Sequence, residues 1–406
     1  MIALPFAAFL LLILAVPMNL GEGVTALSFA MFYNRVGWVA LATLLLMYLR
    51  PVEARARQQL LDVASAALLV LAMLYTKISY GVVALAFLGF MLSDARQRRW
   101  AAPALVATLA VGLVVEAFWR SSAAHFADLL MAAKVSGGLR GRVDETVNAF
   151  LRNLADYVLF ALLAGLASWR TRKPRDLVFY GFCAVSGFLI LNQNFQAWGI
   201  ITLHAGAAVA AETLARSGER LTPRTGWHVS SGAPLLLLAM VLPTIVHCTI
   251  ALGLHAGVAS ARAGEAFGLA KFDRIGLVDL WTSGEYESFT NYLAGLQDGA
   301  QALAELDPKP GHVFVLDFVT PFSAGLGLEP PRGDSVWQHW GRTVDEANFI
   351  GPEQLLRDVR VVMEPKSPVE GITAEGLLRI YGPYVAAHFD LVRETRSWKI
   401  YLRRRS

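Results

Sequence analysis

Four short stretches of this chain carry residue types that can do chemistry, and three of them interrupt long apolar runs. Tyr33-Asn34-Arg35 is the first. An arginine in such a run offers a planar donor fork that fits a phosphate or pyrophosphate headgroup. Its structural alternative is to snorkel to the interface or pair with Glu22. Lys77, inside Tyr75-Thr76-Lys77-Ile78-Ser79-Tyr80, is a point-charge phosphate binder with a headgroup-facing turn as its alternative. Asn192-Gln193-Asn194-Phe195-Gln196-Ala197-Trp198 groups amides with aromatics. Amides hydrogen-bond hydroxyls and rings cover the apolar faces of sugars, whereas the alternative is a polar turn beside an interfacial Trp. The fourth stretch, Asp317 to Arg342, follows a strand-like run, where α/β sites commonly sit. Asp317, Arg332, Asp334, Trp337, His339 and Trp340 make it a binding surface for glycan or a loop packed by its Trp side chains.

Other ionisable residues are more dispersed. Glu116 and Arg120 are an i,i+4 pair, and His204, Glu212 and His247 lie singly in apolar runs, the usual setting of packing residues. Cys183 and Cys248 read as small buried hydrophobes. No His, Cys, Asp or Glu spacing resembles a metal site, so no metal or cofactor is expected. The chain has no Gly-rich phosphate loop, no Ser-His-Asp arrangement and no nucleic-acid motif.

The elements that must position these residues are mostly membrane helices. The chain is 17% charged, below the roughly 25% of soluble domains, and the shortage lies in its first 255 residues. Apolar runs at about 2–19, 25–49, 60–75, 78–93, 101–119, 153–169, 177–192, 199–215 and 233–254 predict nine membrane segments. The first has no basic leader and reads as a retained helix. Arginine- and lysine-rich connections fall after the second, fourth, sixth and eighth runs: Arg50, Arg55 and Arg57; Arg96, Arg98 and Arg99; Arg170, Arg172, Lys173 and Arg175; Arg216, Arg220 and Arg224. Basic loops face the cytoplasm, which predicts an amino terminus inside and everything after His255 outside. The connection 121–152 is expected to form two amphipathic interfacial helices around Ser136-Gly137-Gly138.

Residues 256–406 predict one extracytoplasmic α/β domain. Strands are expected at 274–281, 312–319 and 359–363, helices at 288–306 and 374–388, and a hairpin over 389–403 turning near Glu394-Thr395. The fold class is therefore a polytopic α-helical membrane protein, 1–255, with a C-terminal α/β domain.

Tyr33-Asn34-Arg35-Val36-Gly37-Trp38, the Leu74-Tyr75-Thr76-Lys77 tip, and the outer domain ending in Trp398-Lys399-Ile400-Tyr401-Leu402-Arg403 resemble bacterial membrane glycosyltransferases of the GT-C type. The resemblance implies transfer of a sugar from a polyprenyl-phosphate donor on the outer face of the plasma (inner) membrane to a glycan or lipid acceptor. Those enzymes carry an acidic base in a large first outer loop. Here the corresponding loop is only 19–23, and Glu22 is its one acid. The resemblance thus implies Glu22 as the catalytic base, or a catalytic loop upstream of residue 1. Arg35, Asn34, Lys77, Tyr80, Asn192, Asn194, Gln196, Asp317, Arg332 and His339 are the expected substrate contacts. The alternative is a non-catalytic membrane protein whose outer domain binds glycan or a partner. A transporter is disfavoured because no internal repeat is visible.

Overall fold

The computed structural model describes residues 2–24, 27, 31–49, 56–120, 122–136, 143–193, 196–217, 229–278, 283–307, 309–333 and 337–404. The chain divides into two compact units, one of 1–120 with 141–257, the other of 121–140 with 258–406.

The first unit is helical: α1 Ala3–Ala15, α2 Phe32–Leu46, α3 Ala56–Thr76, α4 Ile78–Met91, α5 Arg98–Trp119, then, after α6 Ser122–Ser136 of the second unit, α7 Val143–Arg152, α8 Leu154–Thr171, α9 Pro174–Gln193, α10 Ile201–Ser217 and α11 Val229–Ser260. Each of the nine expected runs falls on one of these helices. Local chemistry sets several ends. Val16 is extended before Pro17, where the ring disfavours helical geometry for the preceding residue. Pro174 opens α9, where its missing N–H leaves no lost bond. Lys77 alone is extended between α3 and α4, so the two helices meet at a one-residue elbow.

Among the described residues, four helices are long and apolar enough to cross a membrane, α3, α5, α9 and the 232–260 part of α11, or five if Thr146–Arg152 and Leu154–Thr171, bent by 64°, form one span. α1, α2 and α4 have 13, 15 and 14 residues. At 1.5 Å per residue each is only about 20 Å long, short of a roughly 30 Å hydrocarbon core. Length and composition are therefore compatible with a multi-pass membrane protein, with fewer full-length spans than the nine expected segments.

The helix at the centre of this unit is α10. Ile201, Thr202, Leu203, His204, Ala205, Ala207, Ala208, Val209, Ala210, Ala211 and Glu212 are all buried. Its small residues let neighbours approach closely. A Cβ on Gly206 would stand 2.7 Å from the Phe160 ring. Apolar side chains of other helices point outward, with Leu68 of α3 at 69%, Leu113 of α5 at 73% and Leu235 of α11 at 57% exposure. One end of the bundle is tied by polar groups. Tyr48 donates its hydroxyl to Asp176, Gln97 donates to the Tyr48 carbonyl at 3.0 Å, and Arg175 pairs with Asp94 at 2.8 Å. These join the second, fourth and sixth expected connections. The eighth begins at Arg216, which bonds Glu212 at 2.8 Å, and Glu212 also accepts the Ile2 N–H at 2.9 Å.

In the second unit, α6 has no buried residue, and α7 of the first unit follows it in sequence, matching the two helices expected in 121–152. The rest is α/β: β1 Glu265–Ala266, β2 Gly276–Leu277, α12 Ser283–Ala304, β3 Val313–Val315, α13 Pro321–Leu326, α14 Pro352–Leu355, β4 Val361–Pro365, α15 Gly371–His388, β5 Phe389–Glu394 and β6 Trp398–Arg403. Four strands form one sheet in the order β3-β4-β6-β5, with β3 and β4 parallel and the rest antiparallel. The period-2 alternation of strand side chains builds two cores. Val313, Val315, Val361, Met363, Trp398 and Ile400 pack on one face with Leu296 and Leu303 of α12. Phe314, Leu316 and Val362 pack on the other with Leu377, Tyr381 and Val385 of α15. The sheet is thus covered on both faces by helices. Of the strand expected at 274–281, only Gly276–Leu277 is formed among the described residues, paired with Glu265–Ala266.

Candidate functional site

The end of the first unit opposite Tyr48 and Asp176 gathers the loop after α1, the start of α2, the α3–α4 elbow and the segment before α10. Asn34 is on the first turn of α2. Its Oδ1 accepts a hydrogen bond from Lys77 Nζ at 3.0 Å, and its Nδ2 donates to Asn19 Oδ1 at 3.5 Å. Asn19 in turn hydrogen-bonds the Glu22 carboxylate. A cation and a carboxylate are thereby linked through two side-chain amides. The Lys77 ammonium lies 5.4 Å from the Tyr33 ring centroid and 5.9 Å from that of Tyr80. Burial holds the Glu22 carboxyl above its ordinary value of 4.5, with the Asn19 bond acting in the opposite direction. A carboxyl poised upward in this way suits general-base work near neutral pH.

Beneath this chain, Tyr80 and Trp38 are fully buried and meet edge-to-face at 5.4 Å. The contact depends on Gly37, where a Cβ would stand 2.7 Å from the Tyr80 ring. Trp38 donates its indole N–H to Gln196 Oε1 at 3.1 Å, and Gln196 Nε2 donates to the carbonyls of Trp198 and Gly199 at 2.6 and 3.2 Å. Asn153, at the α7–α8 bend, donates to the Ala197 carbonyl at 3.0 Å. His247 of α11 packs on Trp198 at 4.6 Å, and its Nε2 lies 3.1 Å from the Glu22 carbonyl.

Arg35 is 4% exposed. Its Nε, the Ser79 hydroxyl and the Tyr80 hydroxyl are buried atoms without a hydrogen-bond partner among the described residues. No ion pair joins Arg35 to Glu22 among those residues. Buried polar groups are nearly always bonded, and an orphaned one carries a penalty of roughly 1–3 kcal/mol. Arg35 on the first turn of α2 and Lys77 at the α3–α4 elbow are two cationic side chains at this end of the unit, the residue types that hold ligands carrying negative charge.

Glu22, Asn34, Arg35, Lys77, Tyr80 and Gln196 thus belong to one end of the unit, although four separate stretches of sequence supply them. Asn192 points elsewhere and accepts from Thr146 of α7 at 3.4 Å. Asn194 lies outside the described residues. Asn19, Trp38 and Asn153 complete the arrangement and are absent from the sequence-based set. Asn19 carried a usable signal, since it is a polar amide two residues after Pro17 at the end of an apolar run.

In the second unit the expected residues separate. Asp317 lies beyond the carboxyl end of β3 and is 3% exposed. Its carboxylate accepts the backbone N–H groups of Phe318 at 2.7 Å, Val369 at 2.7 Å and Glu370 at 3.3 Å. It therefore ties the end of β3 to the segment that leads into α15. Burial raises its carboxyl above the ordinary 3.8, and the three N–H bonds oppose that shift. Arg332 is at the other end of β3, its N–H bonded to Asp358 at 3.1 Å, and Asp358 is 3.7 Å from His312. His339 contacts Glu370 at 3.2 Å within a cluster of Phe318 and Trp337 rings. The long loop is therefore mostly structural, and Asp317 alone of the three reaches a cleft. Among the described residues, no group of three or more His, Cys, Asp and Glu side chains is placed to hold a metal. No family model, curated protein or solved structure matches this chain.

Proposed function

We propose that the chain is a multi-pass plasma-membrane protein of the envelope that transfers a sugar from a polyprenyl-phosphate donor, with the seat around Arg35 and Lys77 as its donor site. The observation that carries this reading is the Lys77–Asn34–Asn19–Glu22 chain, with the buried Arg35, whose Nε has no hydrogen-bond partner among the described residues, next in sequence to Asn34. Arg35 and Lys77 hold the donor phosphate and stabilise it as it leaves. Glu22 accepts the proton of the acceptor hydroxyl, whose oxygen forms the new bond to the sugar as the sugar–phosphate bond breaks. Asn34 and Asn19 hold the two charged ends at fixed separation.

The basic connections support an orientation in which the Tyr48–Asp176 end faces the cytoplasm, the Lys77 end and the 258–406 unit face outward, and all nine helices cross or enter the membrane. Of the three short helices, α2 is the most enclosed by its neighbours, whereas Leu4 and Leu11 of α1 and Val82 of α4 face outward. Transfer from radiolabelled polyprenyl-phosphate sugars in membranes containing this chain tests the reading. Glu22→Gln is expected to lower the rate about 100-fold or more, and Lys77→Ala and Arg35→Ala by about 100-fold each. An inserted, folded chain that transfers from no donor, or that transfers equally well as Glu22→Gln, overturns it.

A further inference from the structure

A second recess lies wholly within the carboxyl-terminal unit. It is a cleft of about 680 Å³, within the usual size of small-molecule sites. Its position follows from the topology. The carboxyl ends of the parallel strands β3 and β4 supply Asp317, Ser367 and Val369, the turn into β6 supplies Arg396 and Ser397, and α12 supplies Asn291 and Tyr292. Crevices outside the carboxyl ends of parallel strands are where open α/β sheets bind ligands.

The chemistry of the lining selects the ligand class. The Asp317 carboxylate, held by the backbone N–H groups of Phe318, Val369 and Glu370 beside the start of α15, already places a negative group at this edge, which opposes an anionic ligand. What remains is an amide, a phenol and two hydroxyls, groups that both donate and accept, with a single guanidinium at the exposed turn. Hydroxyl groups of a polyol also donate and accept, so this set matches them one for one, whereas a phosphate asks for donors alone. Pro321, Pro368, Val319 and the edge of Trp398 supply apolar surface for the C–H faces of a ring.

We propose that this cleft is a saccharide-binding site, formed by Asn291, Tyr292, Ser367, Arg396 and Ser397 and independent of the seat at Lys77. The test uses the full chain in nanodiscs. Saturation-transfer NMR and calorimetry are run with methyl glycosides of glucose, galactose, mannose and N-acetylglucosamine, and with maltotriose and chitotriose. At least one probe is expected to bind saturably, with affinity lowered about tenfold by Asn291→Ala or Arg396→Ala, each loss being that of a single ligand hydrogen bond. Arg396 is exposed and Asn291 is on the surface of α12, so unchanged thermal unfolding of both variants is the check on folding. Lys77→Ala is expected to leave this binding intact, which separates the cleft from the proposed transfer site. Absence of saturable binding by every probe overturns the proposal. Binding that both cleft variants leave unchanged, or that Lys77→Ala abolishes, overturns it equally.

Discussion

The two units differ in where their polar side chains find partners, although each keeps some buried atoms without hydrogen-bond partners among the described residues, Thr290, Ser323 and His339 in the carboxyl-terminal unit. In that unit carboxylates join distant segments of the fold. Asp317 accepts the N–H groups of Val369 and Glu370 just before α15, Asp298 accepts from Thr395 and Ser397 at the β5–β6 turn, and Glu364 accepts from Lys399 and Tyr401 across the sheet. In the helical unit, Arg35, Ser79, Tyr80 and His204 keep buried atoms without hydrogen-bond partners among the described residues. Helices satisfy their own backbones, so a polar side chain on one is not needed for capping along its length. Where such a side chain is buried and unbonded, its penalty points to another role.

The same contrast holds for apolar residues. The sheet unit hides its large side chains on two faces, whereas the helical unit turns many of them outward. Phe314→Ala empties a fully buried site between β3 and α15 and is expected to cost about 3–5 kcal/mol, read as a large fall in the thermal midpoint. Leu113→Ala, on the outward face of α5, is expected to change stability in a bilayer by about 0.5 kcal/mol or less. Equal losses in the two variants would break the comparison.

Gly37→Val drives a side chain into the Tyr80 ring and is expected to cost about 1–3 kcal/mol while disordering the Lys77 neighbourhood. Arg35→Met has the opposite sign. Removing a buried guanidinium whose Nε lacks a partner among the described residues is expected to raise the stability of the ligand-free chain by about 1–2 kcal/mol while abolishing sugar transfer. A thermal midpoint that falls instead would show that Arg35 serves the fold, as the polar residues of the other unit do.

A smaller effect comes from His339. Burial holds its imidazole below the ordinary 6.5, although the neighbouring Glu370 pulls the other way. The unfolded chain therefore binds the proton more readily than the folded one. Its contribution is fully present above pH 6.5 and is lost as pH falls through the lower folded value. His339→Gln is expected to flatten the slope of stability against pH just below 6.5, and an unchanged slope would count against this placement. Smallest of all is Asp390→Asn. The Arg404–Asp390 pair is 50% and 60% exposed, so its loss is expected to shift stability by less than about 0.5 kcal/mol, and by nothing measurable in high salt.

Much of the fold was legible from residue pattern. Nine apolar runs became nine helices. The β3, β4 and β5–β6 segments were legible because apolar alternation and the Glu394-Thr395 turn are local signals. Helix length was less so. Apolar composition continues through Pro17 and the residues before Phe32, so the run is longer than the helix it contains. How the Asp317–Arg342 stretch is arranged was not legible for a related reason. Density of polar and aromatic residues along a chain does not say that β3 will send Arg332 to one end and Asp317 to the other.

By itself the sequence determined the class of each half, because hydrophobic periodicity is a property of neighbouring residues. It also determined which residues are expensive to place in an apolar run, since Arg35, Lys77 and the 192–198 amides stand out against their surroundings. Only the tertiary structure decided which of these meet. Asn19, Asn34, Lys77 and Gln196 are brought together by the close crossings that Gly37 and Gly81 permit, and Asn192 is turned away to Thr146. That choice depends on the packing of helices distant in sequence, whose contacts no local pattern encodes.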